Sequence, residues 1–406
     1  MQAENSVSAG LPALGGSPSG PLSGVRVVDL TINVLGPLAT QILGDMGADV
    51  IKIEAPEGDP MRHSGHTKNP GMASLFMNAN RNKRSVVLDL KRPRAFEALM
   101  RLVETADVFV HSVRPQTAER LGISYEAVSA RNPRIVYAYG PGYRSDGPNR
   151  ERGAFDDVIQ GESGIAAMIG RNTGEPRYVP MVLVDKFCGH VLASAIGMAL
   201  FSRERTGKGQ EVVVPMLETM LSFNLVEHLW TNFFEDHREN LGYTRIFSPH
   251  RRPYNTRDGH ICMLAISDEQ WRRVFAVIGR PELARDARFA ELKARTRNIS
   301  ELYGILAEEI KRRTTAEWQK LLDAADLPNG AVNELGTMAE DPYLEATGFF
   351  RHYEHPSEGA MVTTAIPVQF GSTPGSIRLA PPQLGEHTKS VLQEIGYSDA
   401  DIEEIG

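Results

Sequence analysis

Cations cluster around one predicted strand. The apolar run SVVLDL (85–90) is flanked by four of them, Arg81, Lys83, Arg84 and Lys91. Arg114 and Arg120 follow a second apolar run. Ligands of open α/β sheets bind beyond strand ends, where clustered cations hold phosphate groups through charge-assisted hydrogen bonds. The pattern predicts a phosphate-bearing ligand, although a solvated basic loop would have the same composition.

An aspartate, Asp185, follows the apolar run PMVLV (180–184) where a helix is predicted to begin. Aspartate at this place commonly caps the helix, and the N–H groups that it accepts lower its pKa and keep it ionised. An ionised carboxylate is also a nucleophile toward a carbonyl carbon. Asp156 and Asp157 form a second candidate group, which either divides acid and base roles or simply begins a helix. The residues alone leave these interpretations open.

The signatures of several common enzyme classes are absent. The sequence has no GxGxxG, GxxxxGK[ST], GxSxG or HExxH, and its eleven histidines show no metal-ligand spacing. This argues against nicotinamide dehydrogenases, P-loop enzymes, serine hydrolases of the usual α/β type and zinc hydrolases. Cys188 and Cys262 are too few for a disulfide framework or a zinc site, so we expect reduced thiols, a cytoplasmic location and no metal.

The length and the net charge of the chain exclude further classes of protein. A chain of 406 residues predicts two or three domains, and 41 % hydrophobic with 23 % charged residues is typical of globular proteins. No run approaches the roughly 18 apolar residues of a membrane helix, so no membrane partner is expected. A net charge of −7 disfavours nucleic acid. The Gly/Ser/Pro-rich segment 1–24 is predicted to be a flexible tail without a signal peptide's basic start.

The elements that would position these residues alternate between strand and helix from residue 25. Apolar runs predict strands at 25–30, 50–54, 85–90, 108–113, 135–140 and 210–216. Helical spacing predicts helices at 36–49, 92–107, 186–205 and 217–236. This alternation is typical of a parallel, doubly wound sheet. Beyond it we predict a hairpin at 254–266 turned at Asp258–Gly259, helices at 268–279 and 286–325, a β-rich stretch at 359–371 and a helix at 387–396.

Six segments in order resemble the class III coenzyme A transferases, also called the CaiB/BaiF family. This superfamily includes formyl-CoA:oxalate and carnitine CoA-transferases and α-methylacyl-CoA racemase. The matching segments are 22–62, 82–91, 106–128, 155–164, 205–218 and 380–398. Each is loose by itself, but six in the right order are specific, and together they span nearly the whole chain.

The resemblance implies an α/β fold with a Rossmann-like large domain, built on a parallel sheet, and a smaller α+β domain. It also implies two chains interlocked as a homodimer. The expected segments are a tail at 1–24, a CoA-binding large domain at 25–220, a small domain at 221–335 and a C-terminal segment at 336–406 that returns to the large domain.

The resemblance also implies the activity. Asp185 matches the nucleophile of the family, in a stretch that ends at Gly189. The expected enzyme moves coenzyme A from an acyl-CoA to a carboxylic acid through an aspartyl mixed anhydride and an aspartyl-CoA thioester. CoA is then a substrate, no tightly bound cofactor is expected, and the partners are an acyl-CoA, a small carboxylic acid and a second copy of the chain.

CoA contacts carry over by position. The family pattern assigns them to Val34, Leu35, Leu88, Lys91, Ser112, Val113, Arg114, Arg120, Gly140, Gly142 and Tyr143. The chain departs from the formyl-CoA enzyme at Val34, Ala55 and Pro141, where that enzyme has glutamine, arginine and lysine. Its oxalate-covering glycine run is replaced by IFSPHRRPYNT (246–256). Oxalate and formyl-CoA are therefore not expected as substrates.

Two questions stay open at the level of sequence. Arg251 and Arg252 either face a substrate carboxylate or are ordinary surface arginines. A racemase needs two acid/base groups on opposite faces of Cα, and Phe155 occupies the place of the racemase histidine. A non-catalytic acyl-CoA binder is the other alternative. Succinyl-CoA is a reasonable donor, because this family often uses it, but no residue identifies the acid.

Overall fold

The computed structural model describes residues 14–236 and 241–405. Thirteen residues of the predicted N-terminal tail, 1–13, lie outside the described residues. The chain forms two compact units. One comprises the residues up to Gly164, Tyr178–Phe223 and the chain from Glu345 onward, and the other comprises Ile165–Arg177 and Asn224–Leu344.

A six-stranded parallel sheet forms the centre of the first unit, as the strand–helix alternation predicts. In chain order its strands are β1 (Arg26–Leu30), β2 (Asp49–Glu54), β3 (Lys83–Val87), β4 (Val108–His111), β5 (Val136–Tyr139) and β6 (Gln210–Val213). Their spatial order is β3-β2-β1-β4-β5-β6. Every residue of β4 and β5 is buried, because helices cover both faces of a parallel sheet.

Helices connect and cover these strands. In chain order they are α1 (Leu35–Asp45), α2 (Ser74–Met77), α3 (Pro93–Thr105), α4 (Pro115–Leu121), α5 (Tyr125–Arg131), α6 (Asp156–Glu162), α7 (Ile165–Thr173), α8 (Val184–Thr206), α9 (Met216–His228), α10 (Asp268–Val277), α11 (Leu292–Arg297), α12 (Ile299–Ile310), α13 (Thr315–Ala324), α14 (Pro342–Ala346), α15 (Thr388–Glu394) and α16 (Asp399–Ile405). The amphipathic α3 packs Ala95, Leu99 and Leu102 into the core beside Phe109.

The longest of these helices, α8, has 23 residues and ends where Gly207 adopts a φ of +74°. By length and composition alone α8 could cross a membrane, a test that the buried core helices of soluble proteins also pass. The helix predicted at 217–236 ends earlier than expected, because α9 stops at His228 and a 3₁₀ turn follows at Trp230–Phe233.

The second unit has its own core and a small antiparallel sheet. The predicted hairpin is present as β7 (Tyr254–Asn255) and β8 (His260–Met263), and β9 (Asn329–Ala331), which the pattern did not predict, pairs with β8. The helical stretch predicted across 286–325 is divided into α11, α12 and α13. Trp271, Phe275 and Leu302 are among the residues of its core.

The end of the chain packs against β3 in the first unit. Residues 359–371, predicted as β-rich, contribute β11 (Gly359–Thr364), which pairs antiparallel with β10 (Phe350–His355). Further on, the backbone N–H of His387 donates to the carbonyl of Ser85, and the N–H of Asn82 donates to that of Leu379. These bonds place α15 beside the edge strand β3.

Candidate active site

Two cavities meet at the carboxyl edge of the sheet. The strand order reverses between β1 and β4, and ligands of such sheets bind at that switch point. The β3-side cavity, of about 410 Å³, lies beyond the ends of β1, β2 and β3. The β5-side cavity, of about 350 Å³, lies beyond the ends of β1, β4 and β5. Ile32 and Val113 line both cavities, so the two form one crevice.

Predicted CoA contacts occur in each cavity. Leu88 and Lys91 line the β3-side cavity, together with Ala55. Lys91 is the cation among its lining residues, and the side chain is exposed. The predicted contacts on the β5 side are Ser112, Val113, Arg114, Gly140 and Gly142. Arg150 and Arg152 also line the β5-side cavity, and no sequence motif singled them out.

Four predicted contacts line neither cavity. Leu35 is buried, and Val34 precedes it as the residue before the first turn of α1. Tyr143 is buried and its hydroxyl donates to Glu162 at 2.9 Å. Arg120 is exposed on α4. The structure thus brings seven of the eleven predicted CoA contacts to the crevice and leaves these four outside its lining.

The basic run before β3 does not form a phosphate site. Its three cations bind carboxylates of the same chain, in the pairs Arg81–Asp45, Lys83–Asp29 and Arg84–Asp49. The prediction was wrong for them because β3 begins at Lys83, so they lie at or before its amino end. Lys91 follows the strand and is the one of the four clustered cations that lies at the carboxyl edge.

Buried charges hold the loop that leads from β1 into the crevice. Lys52 is fully buried and donates to the carbonyl of Thr31 at 2.7 Å and to Asp59 at 2.9 Å. Asp59 in turn accepts from the N–H of Asn33, which adopts a left-handed φ of +67°. A lysine inside the apolar run of β2 was the sequence signal for this arrangement, because an isolated buried lysine is costly without partners.

Close packing requires two of the glycines. A Cβ built on Gly189 would lie 2.7 Å from the backbone oxygen of Leu35, so α1 and α8 approach each other closely there. A Cβ on Gly140 would lie 2.8 Å from a methyl group of Leu35. Leu35 therefore contributes by packing beneath the crevice, between the end of β5 and the start of α8.

Asp185 lies in the first turn of α8 and is half-buried. The interpretation of Asp185 as the N-cap was wrong, because Leu183 holds that position and makes no side-chain cap. The carboxylate of Asp156 takes the capping role instead, accepting from the backbone N–H of Asp185 at 3.1 Å. Within the described ranges, neither carboxylate oxygen of Asp185 has a hydrogen-bond partner or a cation.

The pKa of Asp185 shifts in the direction opposite to the one that a capping role predicts. Burial, and then the negative charge of Asp156, raise its pKa from 3.8 to about 6. The carboxylate is therefore ionised at neutral pH but more basic than an exposed aspartate. Basicity of this kind, in a carboxylate without a neutralising cation, suits a nucleophile.

Asp156 is the titratable carboxylate beside Asp185, and it accepts from the backbone N–H of Asp185. Asp156 is buried while Asp157 is exposed, so the two do not act as a pair. Phe155 lines the β5-side cavity with a ring that is 68 % exposed and carries no titratable proton. Burial lowers the pKa of His111, another lining residue, to about 3, so its ring stays neutral.

Arg251 and Arg252 line a cavity of about 260 Å³ in the second unit. Buried Tyr254 and Tyr303 form part of its wall. Both arginines are exposed, and no carboxylate pairs with them within residues 14–236 and 241–405. This geometry is compatible with a bound anion and with an ordinary surface position alike.

Comparison with known proteins shows which family this chain belongs to. The profile of CoA-transferase family III matches residues 22–388. A probable fatty acyl-CoA transferase of Mycobacterium tuberculosis, Rv3272, is 34 % identical over 393 residues, covering 93 % of this chain and 98 % of that protein. Human succinyl-CoA:glutarate CoA-transferase is 29 % identical over 389 residues, covering 95 % and 88 %.

Solved structures agree with the sequence comparison. The crystal structure of a mutant of Rv3272 matches with a TM-score of 0.82 and 32 % identity, covering 93 % of this chain and 99 % of that one. A CAIB/BAIF family protein from Brucella suis matches with a TM-score of 0.77 and 29 % identity, covering 93 % and 100 %. The chain is a member of CoA-transferase family III, as the order of its six segments predicted.

Proposed function

We propose that this protein transfers coenzyme A from an acyl-CoA donor to a carboxylic acid, with Asp185 as the nucleophile. The observation that carries the proposal is the state of this side chain. It is an ionised, half-buried carboxylate with a pKa raised to about 6 and no cation or hydrogen-bond donor on its oxygens in the described chain. Membership in CoA-transferase family III supports the reaction class.

The proposed reaction uses Asp185 twice. Its carboxylate attacks the thioester carbonyl of the donor, the C–S bond breaks, and CoA leaves as a thiolate while the mixed anhydride of Asp185 and the acyl group forms. The thiolate then attacks the Asp185 carbonyl, which gives an enzyme–CoA thioester and releases the donor acid. The acceptor carboxylate reverses both steps. Energy of the thioester is conserved because each intermediate is an activated acyl group and water is not a reactant.

We assign one of the two cavities of the crevice to each end of the CoA molecule. The β3-side cavity, with Lys91 at its wall, suits the phosphorylated adenosine. The β5-side cavity, lined by the backbone of Gly140 and Gly142, suits the narrow pantetheine arm. We propose this orientation because Leu88 and Lys91 match the nucleotide-binding strand end of the family. The β5-side cavity nevertheless has more cations in its lining, namely Arg114, Arg150 and Arg152.

Lys91→Ala is expected to raise the KM for acyl-CoA about tenfold while kcat changes little. A hydrogen bond between charged groups contributes about 1.5 kcal/mol, which corresponds to that factor. Steady-state kinetics with CoA and 3′-dephospho-CoA thioesters would measure it. The exposed Lys293 on α11 offers a control, since Lys293→Ala should leave KM unchanged. Equal KM values for Lys91→Ala and the wild type would remove Lys91 from the CoA site.

Relatives guide the choice of donor and acceptor. Two of them carry the names succinyl-CoA:glutarate and succinate–glutarate CoA-transferase, and Rv3272 is named a probable fatty acyl-CoA transferase. We therefore propose succinyl-CoA and a long-chain acyl-CoA as the first two donors to test. Dicarboxylic and fatty acids are the matching acceptors.

Intact-protein mass spectrometry tests the covalent route. Enzyme mixed with each donor should gain a CoA-sized mass that hydroxylamine removes. No adduct with any donor, together with tight CoA binding, would favour a non-catalytic binder. Exchange of the Cα proton of a 2-methylacyl-CoA in deuterated water, without an adduct, would instead support a racemase.

We also propose a homodimer. The outward face of α8 leaves Met198 71 % exposed and Phe201 65 % exposed, which is unusual for side chains of this size on one helix. Light scattering coupled to gel filtration should give twice the mass of 44.7 kDa. A monomer at micromolar concentration would contradict this proposal without affecting the reaction.

A further inference from the structure

Asp156, the first residue of α6, is a buried carboxylate against the start of α8. Its side chain is 9 % exposed, and its Oδ2 accepts a hydrogen bond of 3.1 Å from the backbone N–H of Asp185. Across residues 14–236 and 241–405 no cation pairs with it. A buried carboxylate without a cation is costly, and hydrogen bonds to both of its oxygens offset that cost.

Gln160 holds Asp156 in place from one turn further along α6. The fully buried amide of Gln160 donates through Nε2 to Asp156 Oδ1 at 2.5 Å. Its Oε1 accepts from the backbone N–H of Val179 at 2.9 Å. The two side chains therefore connect α6 to both ends of the segment 179–185, which leads into the nucleophile.

We propose that Asp156 is a positioning residue for Asp185. It fixes the first turn of α8 through the Asp185 N–H, and its negative charge favours the covalent states in which Asp185 is neutral. This inference rests on the proposed function of Asp185 and adds a reason why the carboxylate reacts.

The charge balance of the first step explains the effect. An oxygen of Asp185 bonds to the thioester carbonyl carbon, the C–S bond breaks, and its electron pair leaves on the CoA sulfur. Negative charge moves from Asp185 to the sulfur while Asp156 keeps its own. Repulsion between the two carboxylates in the free enzyme is relieved when the anhydride forms, and the enzyme–CoA thioester is neutral at Asp185 for the same reason.

Asp156 is the charged group that shifts the pKa of Asp185. Elements packed against α8 carry other titratable groups. On α6 they are Asp157 and Glu162, on α8 itself Lys186, Cys188 and His190, on β5 Tyr137 and Tyr139, on β6 Glu211, and on α1 Asp45, which pairs with Arg81. Burial and the two aspartates raise the pKa of the Cys188 thiol to about 12, so that thiol stays neutral.

The variant Asp156→Asn removes the charge and keeps one oxygen for the Asp185 N–H, while it loses the acceptor of the Gln160 amide. The measurement is the single-turnover rate at which an acyl-CoA loads CoA onto the enzyme, followed by mass spectrometry between pH 4.5 and 8. Wild-type enzyme should have a midpoint near pH 6, set by the Asp185 pKa of about 6. Asp156→Asn should move that midpoint below pH 6, because the negative charge that helps to raise the pKa of Asp185 is gone, and should lower the plateau rate severalfold, because the carboxylate becomes a weaker base. Asp157→Asn, at the exposed neighbour, should behave like the wild type.

An unchanged midpoint in Asp156→Asn, or an equal shift in Asp157→Asn, would overturn the inference. If Asp156→Asn does not fold, Gln160→Met provides the test, since it keeps the charge and releases the side chain. That variant should slow loading without lowering the midpoint, and a wild-type rate would overturn the positioning role. Loading of Asp185→Ala would refute the proposed function itself, whereas an inactive Asp185→Ala beside an unshifted Asp156→Asn would refute this inference alone.

Discussion

Asp185→Ala is expected to lose CoA transfer by at least about a thousandfold, because removal of a covalent nucleophile typically costs that much or more. The side chain is half-buried in the first turn of α8 and binds no other side chain in the described chain. Truncation therefore removes the nucleophile without leaving a partner unsatisfied. The Kd for CoA should stay within about threefold of the wild type, and isothermal titration would measure it.

Asp185→Asn makes the same test without a change in volume. It should also lack the hydroxylamine-sensitive adduct, since an amide does not attack a thioester at a useful rate. The exposed Asp157 gives the matched control, and Asp157→Asn should load normally. Transfer by Asp185→Asn at more than a tenth of the wild-type rate would show that another group carries the acyl intermediate.

Lys83→Met is expected to lower the free energy of unfolding by about 3–5 kcal/mol, the cost of leaving a buried charge without its partner. Lys83 is fully buried and donates to Asp29 at 3.1 Å, to Asn80 and to the carbonyl of Pro37. Asp29 is also fully buried, so the substitution leaves its carboxylate with the hydrogen bonds of Thr31 and Thr40 but without its paired cation. Urea denaturation followed by circular dichroism would measure the change.

The double variant Asp29→Asn with Lys83→Met separates the charge from the volume. It should recover at least about half of the lost stability, because no uncompensated charge then stays buried. Folded Lys83→Met should bind CoA as the wild type does. If Lys83→Met instead binds CoA with a higher Kd while its free energy of unfolding is unchanged, the original prediction that Lys83 holds a phosphate would be restored.

The sequence pattern was sufficient to predict the structural elements that neighbouring residues determine. Continuous apolar runs such as VFVH (108–111) are buried on both faces, so composition alone indicates the parallel strands. The hairpin at 254–263 was predictable because an Asp–Gly pair favours a turn, but its loop comprises four residues, 256–259, and is not a tight two-residue turn. The helical stretch predicted at 286–325 is present, but the pattern did not show that it divides into three helices. The pattern also missed β9, which has three residues and is too short to show a period of its own.

By itself, then, the sequence determined the fold class, the family and the residue proposed as the nucleophile, because strand runs and ordered motifs are properties of neighbouring residues. Only the tertiary structure decided what the charges do. Lys83 meets a carboxylate 54 residues away and becomes part of the core. Asp185 meets Asp156, 29 residues away, and its pKa rises instead of falling. Electrostatic energy depends on burial and on distance in space, and neither can be deduced from separation along the chain.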